Sequence, residues 1–271
     1  MIFKRGKYIY SFFVIITLAA ILISLFMMYG LIRQNSEKTQ ENFEKSVFSH
    51  SVILAESGDL GIEYLDKIIF LGESTTYGLQ KYRVLSGGEG TTQVWTGATV
   101  SDKKTVCSGT LSLSPTISST RIFFPDTKEA LTIGEALKIK KPEYLVITLG
   151  LNNGASYYTE DKFKMCYRTL LDAIKKSSGS TKIILQSLFP VAEYCSINAY
   201  TPERIIECNK WIYDMAEEYN LKYLNTFEVL VDENGYLKIE YDNGGDGIHL
   251  NRKGLMTVID YIRTHGYTEA A

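Results

Sequence analysis

Three short stretches of this chain carry side chains that could do chemistry together. The first is Gly72-Glu73-Ser74, followed by Thr75 and Thr76. A serine hydroxyl is a weak nucleophile at neutral pH and needs a base beside it to attack a carbonyl. The second is Asp246-Gly247-Ile248-His249. A carboxylate three residues before an imidazole can hold one ring nitrogen and leave the other free to take a proton. Of the three histidines, His50, His249 and His265, only His249 follows an acid in this way. The third stretch is Gly150-Leu151-Asn152-Asn153. The Asn152 amide is a donor that could face a developing oxyanion, an interaction worth on the order of a hundred- to thousandfold in rate. Each stretch also has a plainer reading. Ser74 could sit in a Ser/Thr-capped turn, Asp246 could only brace a turn beside a surface histidine, and Asn152 could be a turn residue.

The elements that would position these groups follow from pattern. The apolar run 67–72 is rich in β-branched and aromatic residues and stops at Gly72, which predicts a buried strand. Residues 143–150 form a second such run ending at Gly150, with Asn152 directly beyond it. Further strands are expected at 182–189, stopped by Pro190, and at 223–227. Thr132 with Glu135 fits a capping box, and the helix it opens ends before Pro142. Thr159 is placed to cap a helix whose apolar face is Phe163, Cys166, Tyr167, Leu170, Leu171 and Ile174. Thr201-Pro202-Glu203 starts another, burying Ile205, Cys208, Ile212, Met215 and Tyr219. The glycine-rich turn 242–247 leads to His249, and Asn251 caps a last helix with the face Leu255, Val258, Ile259 and Ile262. Strands and helices thus alternate from residue 67 onward. That order calls for an α/β fold of three layers, a mostly parallel central sheet with helices on both faces. Open sheets of this kind hold their sites at the carboxyl ends of the strands, where Ser74 and Asn152 fall. Residues 80–125, rich in Thr, Ser, Gly and Val, are expected to form a small β-rich excursion beside that sheet, with strands at 91–100, 105–114 and 121–124.

Taken in order, the three stretches resemble the blocks of the SGNH (GDSL-type) hydrolases, named for a serine, a glycine, an asparagine and a histidine. Gly72-Glu73-Ser74 looks like the first block, Gly150-Leu151-Asn152-Asn153 like the third and Asp246-Gly247-Ile248-His249 like the last. The resemblance covers residues 66–265. It implies a flavodoxin-like arrangement with Ser74 as nucleophile and His249 as general base oriented by Asp246. It also implies an oxyanion hole built from the Ser74 N–H, the Asn152 side chain and a second-block glycine. Ser108-Gly109-Thr110 looks more like that block than Thr96-Gly97-Ala98, which makes Gly109 the candidate. Two positions depart from the family pattern. Glu73 stands where aspartate is usual, and Asn153 stands where aspartate follows the asparagine. The extra methylene of Glu73 is expected to loosen the turn it braces.

The amino-terminal region reads differently from the rest. Residues 8–32 are 25 consecutive residues without a charge, flanked by Lys4, Arg5 and Lys7 on one side and Arg33 on the other. At about 1.5 Å per residue they outspan a hydrocarbon core of roughly 30 Å. Their flanking charge predicts a single-pass anchor with a cytoplasmic amino terminus and an extracytoplasmic catalytic domain. A cleaved signal peptide is the alternative, without a convincing cleavage site after Ile32. The expected organisation is therefore an anchor over 1–33, a juxtamembrane stalk or helix over 34–65 and a hydrolase-like domain over 66–271.

Composition narrows the function classes. Of 29 basic residues four lie in 1–33, which has no acid, so the remainder carries 25 basic against 31 acidic residues, a net of −6. That balance argues against a nucleic-acid partner. Ser86-Gly87-Gly88-Glu89-Gly90 lacks the Lys-Ser/Thr ending of a P-loop. Three scattered histidines and no Cys-x-x-Cys leave no zinc pattern, and no metal or other cofactor is expected. Position 76 is threonine, so Ser74 is not in a Gly-x-Ser-x-Gly elbow. The four cysteines, Cys107, Cys166, Cys195 and Cys208, could pair in an exported domain, Cys195 with Cys208 being nearest in sequence, or stay as buried thiols. The leading expectation is a serine esterase acting on an acylated small molecule or glycan, with O-acetyl carbohydrate as the substrate implied by family and location. Acyl transfer to a sugar hydroxyl by the same groups, or a silent glycan-binding domain, are the alternatives.

Overall fold

The computed structural model describes Met27, residues 52–102 and residues 104–267. The chain enters with Val52 and Leu54 buried, their backbone bonded to Tyr223 through Leu54 N–H to Tyr223 O at 2.9 Å and Tyr223 N–H to Val52 O at 2.8 Å. A short helix α1 (Gly61–Leu65) leads into β1 (Ile68–Gly72), all five residues of which are buried. Helix α2 (Ser74–Lys81) follows after one residue. Then come β2 (Val94–Trp95), the hairpin β3 (Ala98–Ser101) and β4 (Lys104–Cys107), and the hairpin β5 (Arg121–Phe124) and β6 (Glu129–Thr132). Helix α3 (Ile133–Lys140) opens on the expected capping box: Thr132 Oγ1 accepts the Glu135 N–H while the Glu135 carboxylate accepts the Thr132 N–H. Next are β7 (Tyr144–Thr148), α4 (Glu160–Ser177), β8 (Lys182–Gln186), α5 (Pro202–Tyr219), β9 (Lys222–Leu224), α6 (Phe227–Leu230) and α7 (Arg252–Thr264).

Five strands make one parallel sheet in the order β2-β1-β7-β8-β9. Alternation sorts its side chains between two faces. Ile68, Phe70, Val146, Ile184 and Leu224 share a core with Leu79 of α2, Leu230 of α6 and Leu255, Val258, Ile259 and Ile262 of α7. The alternate residues Ile69, Leu71, Leu145, Ile147, Ile183 and Leu185, also buried, face the opposite layer of α3, α4 and α5. The apolar face expected on α4 is the buried face observed, residue for residue. The chain runs outward from β1 to β2 and then returns to β7 on the other side of β1. Loops after β1 and β7 therefore diverge and leave a crevice at the carboxyl edge, the place where such sheets bind ligands.

Some expectations need correction, some open alternatives are decided, and some fall on residues outside those described. Ser74 does not sit in a turn; it begins α2. The β-rich segment is not wholly beside the main sheet, because Val94 and Trp95 pair with Phe70 and Leu71 as its edge strand. The strand expected over 105–114 is confined to β4, and Ser108 to Ser114 run as irregular chain. The domain reaches back past residue 66: from Val52 on, the segment expected to be stalk is part of the folded unit. All four cysteines are free thiols, with Cys166 and Cys208 buried and Cys195 unpaired. Among the described residues no helix is long and apolar enough to cross a membrane. The span 8–32, apart from Met27, and the stalk residues 34–51, His50 included, lie outside the described residues.

Candidate active site

Ser74 is carried to the sheet edge by β1. Glu73 leaves the strand in extended conformation (φ −91°, ψ −160°), and α2 starts at once, so the Ser74 N–H is among the first N–H groups of a helix and lacks an intrahelical partner. Facing it is the turn 242–249. Asp246 Oδ1 accepts the N–H groups of Ile248 at 2.9 Å and His249 at 3.1 Å, and Asp246 Oδ2 lies 2.6 Å from His249 Nδ1. His249 Nε2 lies 2.8 Å from Ser74 Oγ. The turn is held at both ends. Ala192 N–H donates to Gly247 O at 2.7 Å, and Asn251 caps α7 through the Gly254 N–H at 3.0 Å while its Nδ2 donates to Asp242 O at 2.9 Å. Burial pushes the Asp246 carboxyl up, but the N–H of Ile248 and the bonds to His249 outweigh it and hold the group below its ordinary value. It is a carboxylate at neutral pH, the form that can accept the Nδ1 proton.

Asn152 lies in the turn after β7. Gly150 has φ +127°, and an added Cβ would stand 2.7 Å from the Phe163 ring, so only glycine fits. Ala155 N–H reaches back to Gly150 O at 2.7 Å, while Asn152 (φ −69°, ψ 126°) and Asn153 (φ +67°, ψ −49°) are not helical within that turn. Beyond that one internal bond, the turn is tied to its surroundings. Asn152 Nδ2 donates to Leu111 O at 3.3 Å and Asn153 Nδ2 to Leu113 O at 3.2 Å. Tyr200 donates to Leu151 O at 3.1 Å, and Arg204 donates to Ala155 O at 2.9 Å and Gly154 O at 3.0 Å.

Glu73 reaches across from the Ser74 side. Its Oε1 accepts the Leu151 N–H at 2.9 Å and its Oε2 the Asn152 N–H at 2.7 Å. The residue is 1% exposed. Burial pushes its carboxyl up to about 7 even though the N–H groups of Asn152, Leu151 and Gly150 pull it down. The extra methylene that was expected to loosen its own turn instead spans to the neighbouring loop. Spacing in the sequence carries no signal for this reach, nor for Tyr200 and Arg204.

Gly109 and Gly97 are both near. Gly109 is buried at φ +68°, packs on the Tyr77 ring of α2, and its N–H meets no acceptor among the described residues. It sits two residues before Leu111, the acceptor for Asn152. At Gly97 the Cβ position is filled by Thr110 O, and its carbonyl accepts the Ser108 N–H at 2.8 Å. The structure thus brings Ser74, His249 and Asp246 into one hydrogen-bonded row, ties Asn152 to Glu73 next to Ser74, and packs Gly109 on Tyr77 of α2. Among the described residues no three His, Cys, Asp or Glu side chains converge as metal ligands. Next to the 242–249 turn lies a groove of about 560 Å³ lined by Ala192, Tyr194, Tyr236, Leu237, Lys238 and Ile239, among others. Tyr194 donates its hydroxyl to Asp242 in that turn.

A parallel α/β sheet thus carries a serine, an imidazole and a carboxylate in one row at its switch point. The chain belongs to the GDSL-like lipase/acylhydrolase family, whose model matches residues 70–255. No curated protein matches the chain closely enough to count as a relative. Among solved structures, a protein from Streptococcus pneumonia provisionally described as a platelet activating factor shares the fold, with TM-score 0.52, 17% identity and coverage of 89% of this chain and 97% of its own. A GDSL-like lipase from Bacteroides thetaiotaomicron aligns with TM-score 0.45 and 16% identity over 84% of this chain and 96% of its own. A carbohydrate esterase from Talaromyces cellulolyticus aligns with TM-score 0.44 and 15% identity over 72% of this chain and 93% of its own.

Proposed function

We propose that this enzyme cleaves its ester with Ser74 as nucleophile, His249 as general base and Asp246 as the group that orients His249. The observation that carries the reading is the continuous row Asp246 Oδ2, His249 Nδ1, His249 Nε2 and Ser74 Oγ, with gaps of 2.6 and 2.8 Å. Asp246 fixes the proton on Nδ1, so Nε2 presents its lone pair to the serine hydroxyl. As Ser74 Oγ attacks the ester carbonyl, its proton passes to Nε2 and the carbonyl oxygen becomes an oxyanion. The N–H groups of Ser74 and Gly109 and the free hydrogen of Asn152 Nδ2 are its donors. Collapse expels the alcohol, which takes the proton from Nε2 and leaves an acyl-Ser74 ester. Water, deprotonated by the same Nε2, attacks that ester and releases the acid.

The finer reading is an O-acetyl ester on carbohydrate, met outside the cytoplasmic membrane by a domain anchored through residues 8–32. The charge pattern of residues 1–33 supports the anchor and its direction. The groove beside the catalytic turn supports a sugar, since Tyr194 and Tyr236 supply ring faces and Lys238 a donor along one wall. The test is p-nitrophenyl acetate hydrolysis by the purified full-length chain beside Ser74→Ala and His249→Ala. Loss of all enzymatic rate in both variants is expected. A wild type no faster than either variant overturns the esterase mechanism. Ser74-dependent acetyl release that needs an added sugar acceptor would replace hydrolysis by acyl transfer.

A further inference from the structure

We infer that Glu73 is a positioning residue that couples the nucleophile's turn to the Asn152 turn and, in its ionised form, sets the oxyanion donors in register. The inference rests on the proposed roles of Ser74 and Asn152. Glu73 is covalently next to Ser74, and its two carboxylate oxygens are each spent on a backbone N–H of the facing loop, Leu151 and Asn152. One internal bond, Ala155 N–H to Gly150 O, and ties from Asn153, Tyr200 and Arg204 hold other parts of that loop, but the backbone at Leu151 and Asn152 is held by Glu73. The loop's φ/ψ values break helical geometry at Asn152 and Asn153, and the N–H groups of Leu151 and Asn152 turn away from the loop toward Glu73. The Asn152 side chain is tied on its far side to Leu111 O at 3.3 Å, so Glu73 and Leu111 fix the residue from two directions. A shift of either alters where the Asn152 amide points.

The protonation state matters because a neutral carboxyl keeps one good acceptor and turns the other oxygen into a donor. With the N–H groups of Leu151 and Asn152 each bonded to one oxygen and that of Gly150 also near, a protonated Glu73 loses one bond and sets donor against donor. Among the described residues no basic side chain bonds to the group. The titratable groups that face it are Tyr167 of α4 and Tyr200 of the loop before α5, and both hydroxyls are raised above their ordinary value by burial and by the Glu73 charge itself. Burial without a counter-ion holds the Glu73 carboxyl at about 7. Its ionised form is therefore present above that pH and lost as the pH falls through it. His249 must also be unprotonated to act as base. Two groups then switch off activity on the acid side.

The experiment is steady-state hydrolysis of p-nitrophenyl acetate from pH 5 to 9 by the wild-type chain and Glu73→Gln, which has the same shape and cannot ionise. The variant should lose about ten- to hundredfold in kcat with KM changed less than twofold, because the donors act mainly on the transition state. Below pH 7, log kcat/KM should fall more steeply in the wild type than in the variant, the excess fall reaching about the same ten- to hundredfold. A merely structural Glu73 would lower the unfolding temperature and leave that slope alone. The same substitution made in an Asn152→Ala chain should add less than threefold, since its effect passes through Asn152. That comparison also covers a destabilised variant, because the two chains share the instability. A kcat within twofold of wild type, an unchanged slope, or full additivity with Asn152→Ala overturns the inference. A wild type without Ser74-dependent turnover overturns the esterase mechanism beneath it instead.

Discussion

Asp246→Asn is the perturbation that separates the two jobs of one carboxylate. Oδ1 builds the turn by accepting two backbone N–H groups, and Oδ2 holds His249 Nδ1 at 2.6 Å. Asparagine keeps an acceptor at the Oδ1 position, so the turn survives. Its amide hydrogens then face Nδ1, which favours the tautomer protonated on Nε2. That nitrogen would donate to Ser74 Oγ rather than take its proton. In a sealed triad the wrong tautomer costs about ten-thousandfold. Here the Asp246 side chain is 46% exposed and that of His249 31%, so water can solvate the ring and restore part of the active tautomer. The expected loss in kcat is about a hundred- to thousandfold, or roughly 3–4 kcal/mol of transition-state stabilisation. KM should stay within about threefold and the thermal midpoint within about 2 °C, because the turn is retained. Asp246→Ala removes both jobs and should lower the midpoint as well. The assay is p-nitrophenyl acetate kinetics beside a thermal melt of each variant. A loss in Asp246→Asn of less than tenfold would refute the orienting role, and an equal loss of stability in both variants would refute the division of labour between the two oxygens.

Three other outcomes follow from the geometry. The folded chain binds a proton on Glu73 more tightly than the unfolded chain, so this group's contribution favours the folded state at pH 5 and is withdrawn as the pH rises through about 7. Chemical denaturation should therefore show the wild type gaining about 2 kcal/mol between pH 7.5 and 5 relative to Glu73→Gln, and parallel curves for the two would sink the assignment. Tyr236→Ala and Ile239→Ala alter the groove without touching Ser74, His249 or Asp246; KM for an acetylated oligosaccharide should rise about fivefold or more while p-nitrophenyl acetate kinetics stay put. Thr132→Ala removes the acceptor of the α3 capping box and should cost about 1 kcal/mol, read as a fall of about 2–4 °C in a thermal melt.

The sequence was most legible where local chemistry and tertiary packing agree. The α4 face, the Thr132 box, the strand ends at Gly72 and Gly150 and the Asp246–His249 spacing all report on interactions within a few residues of one another. What stayed hidden depends on distant partners. Ser74-Thr75-Thr76-Tyr77-Gly78 is a poor helix sequence, and α2 forms because Leu79 docks on the sheet core and the turn at Glu73 aims it there. Val94 and Trp95 are two residues with no alternation to read, made a strand by pairing with Phe70 and Leu71. Val52 and Leu54 look like linker until Tyr223, far along the chain, supplies their bonds. Glu73 looked like a conservative change beside the nucleophile because its partners, Leu151 and Asn152, lie nearly eighty positions away.

Ser74 and His249 are separated by 175 positions, and the bond between them spans most of the folded unit. As a chain of this sequence leaves the ribosome, Ser74 is made early and has no His249 to bond through the synthesis of β7, α4, β8, α5 and β9. Only when the turn before α7 emerges can a base reach it. In the proposed mechanism a product that stalls or is clipped anywhere in between holds Ser74 without its base, so Ser74-dependent turnover reports a chain made through the turn before α7.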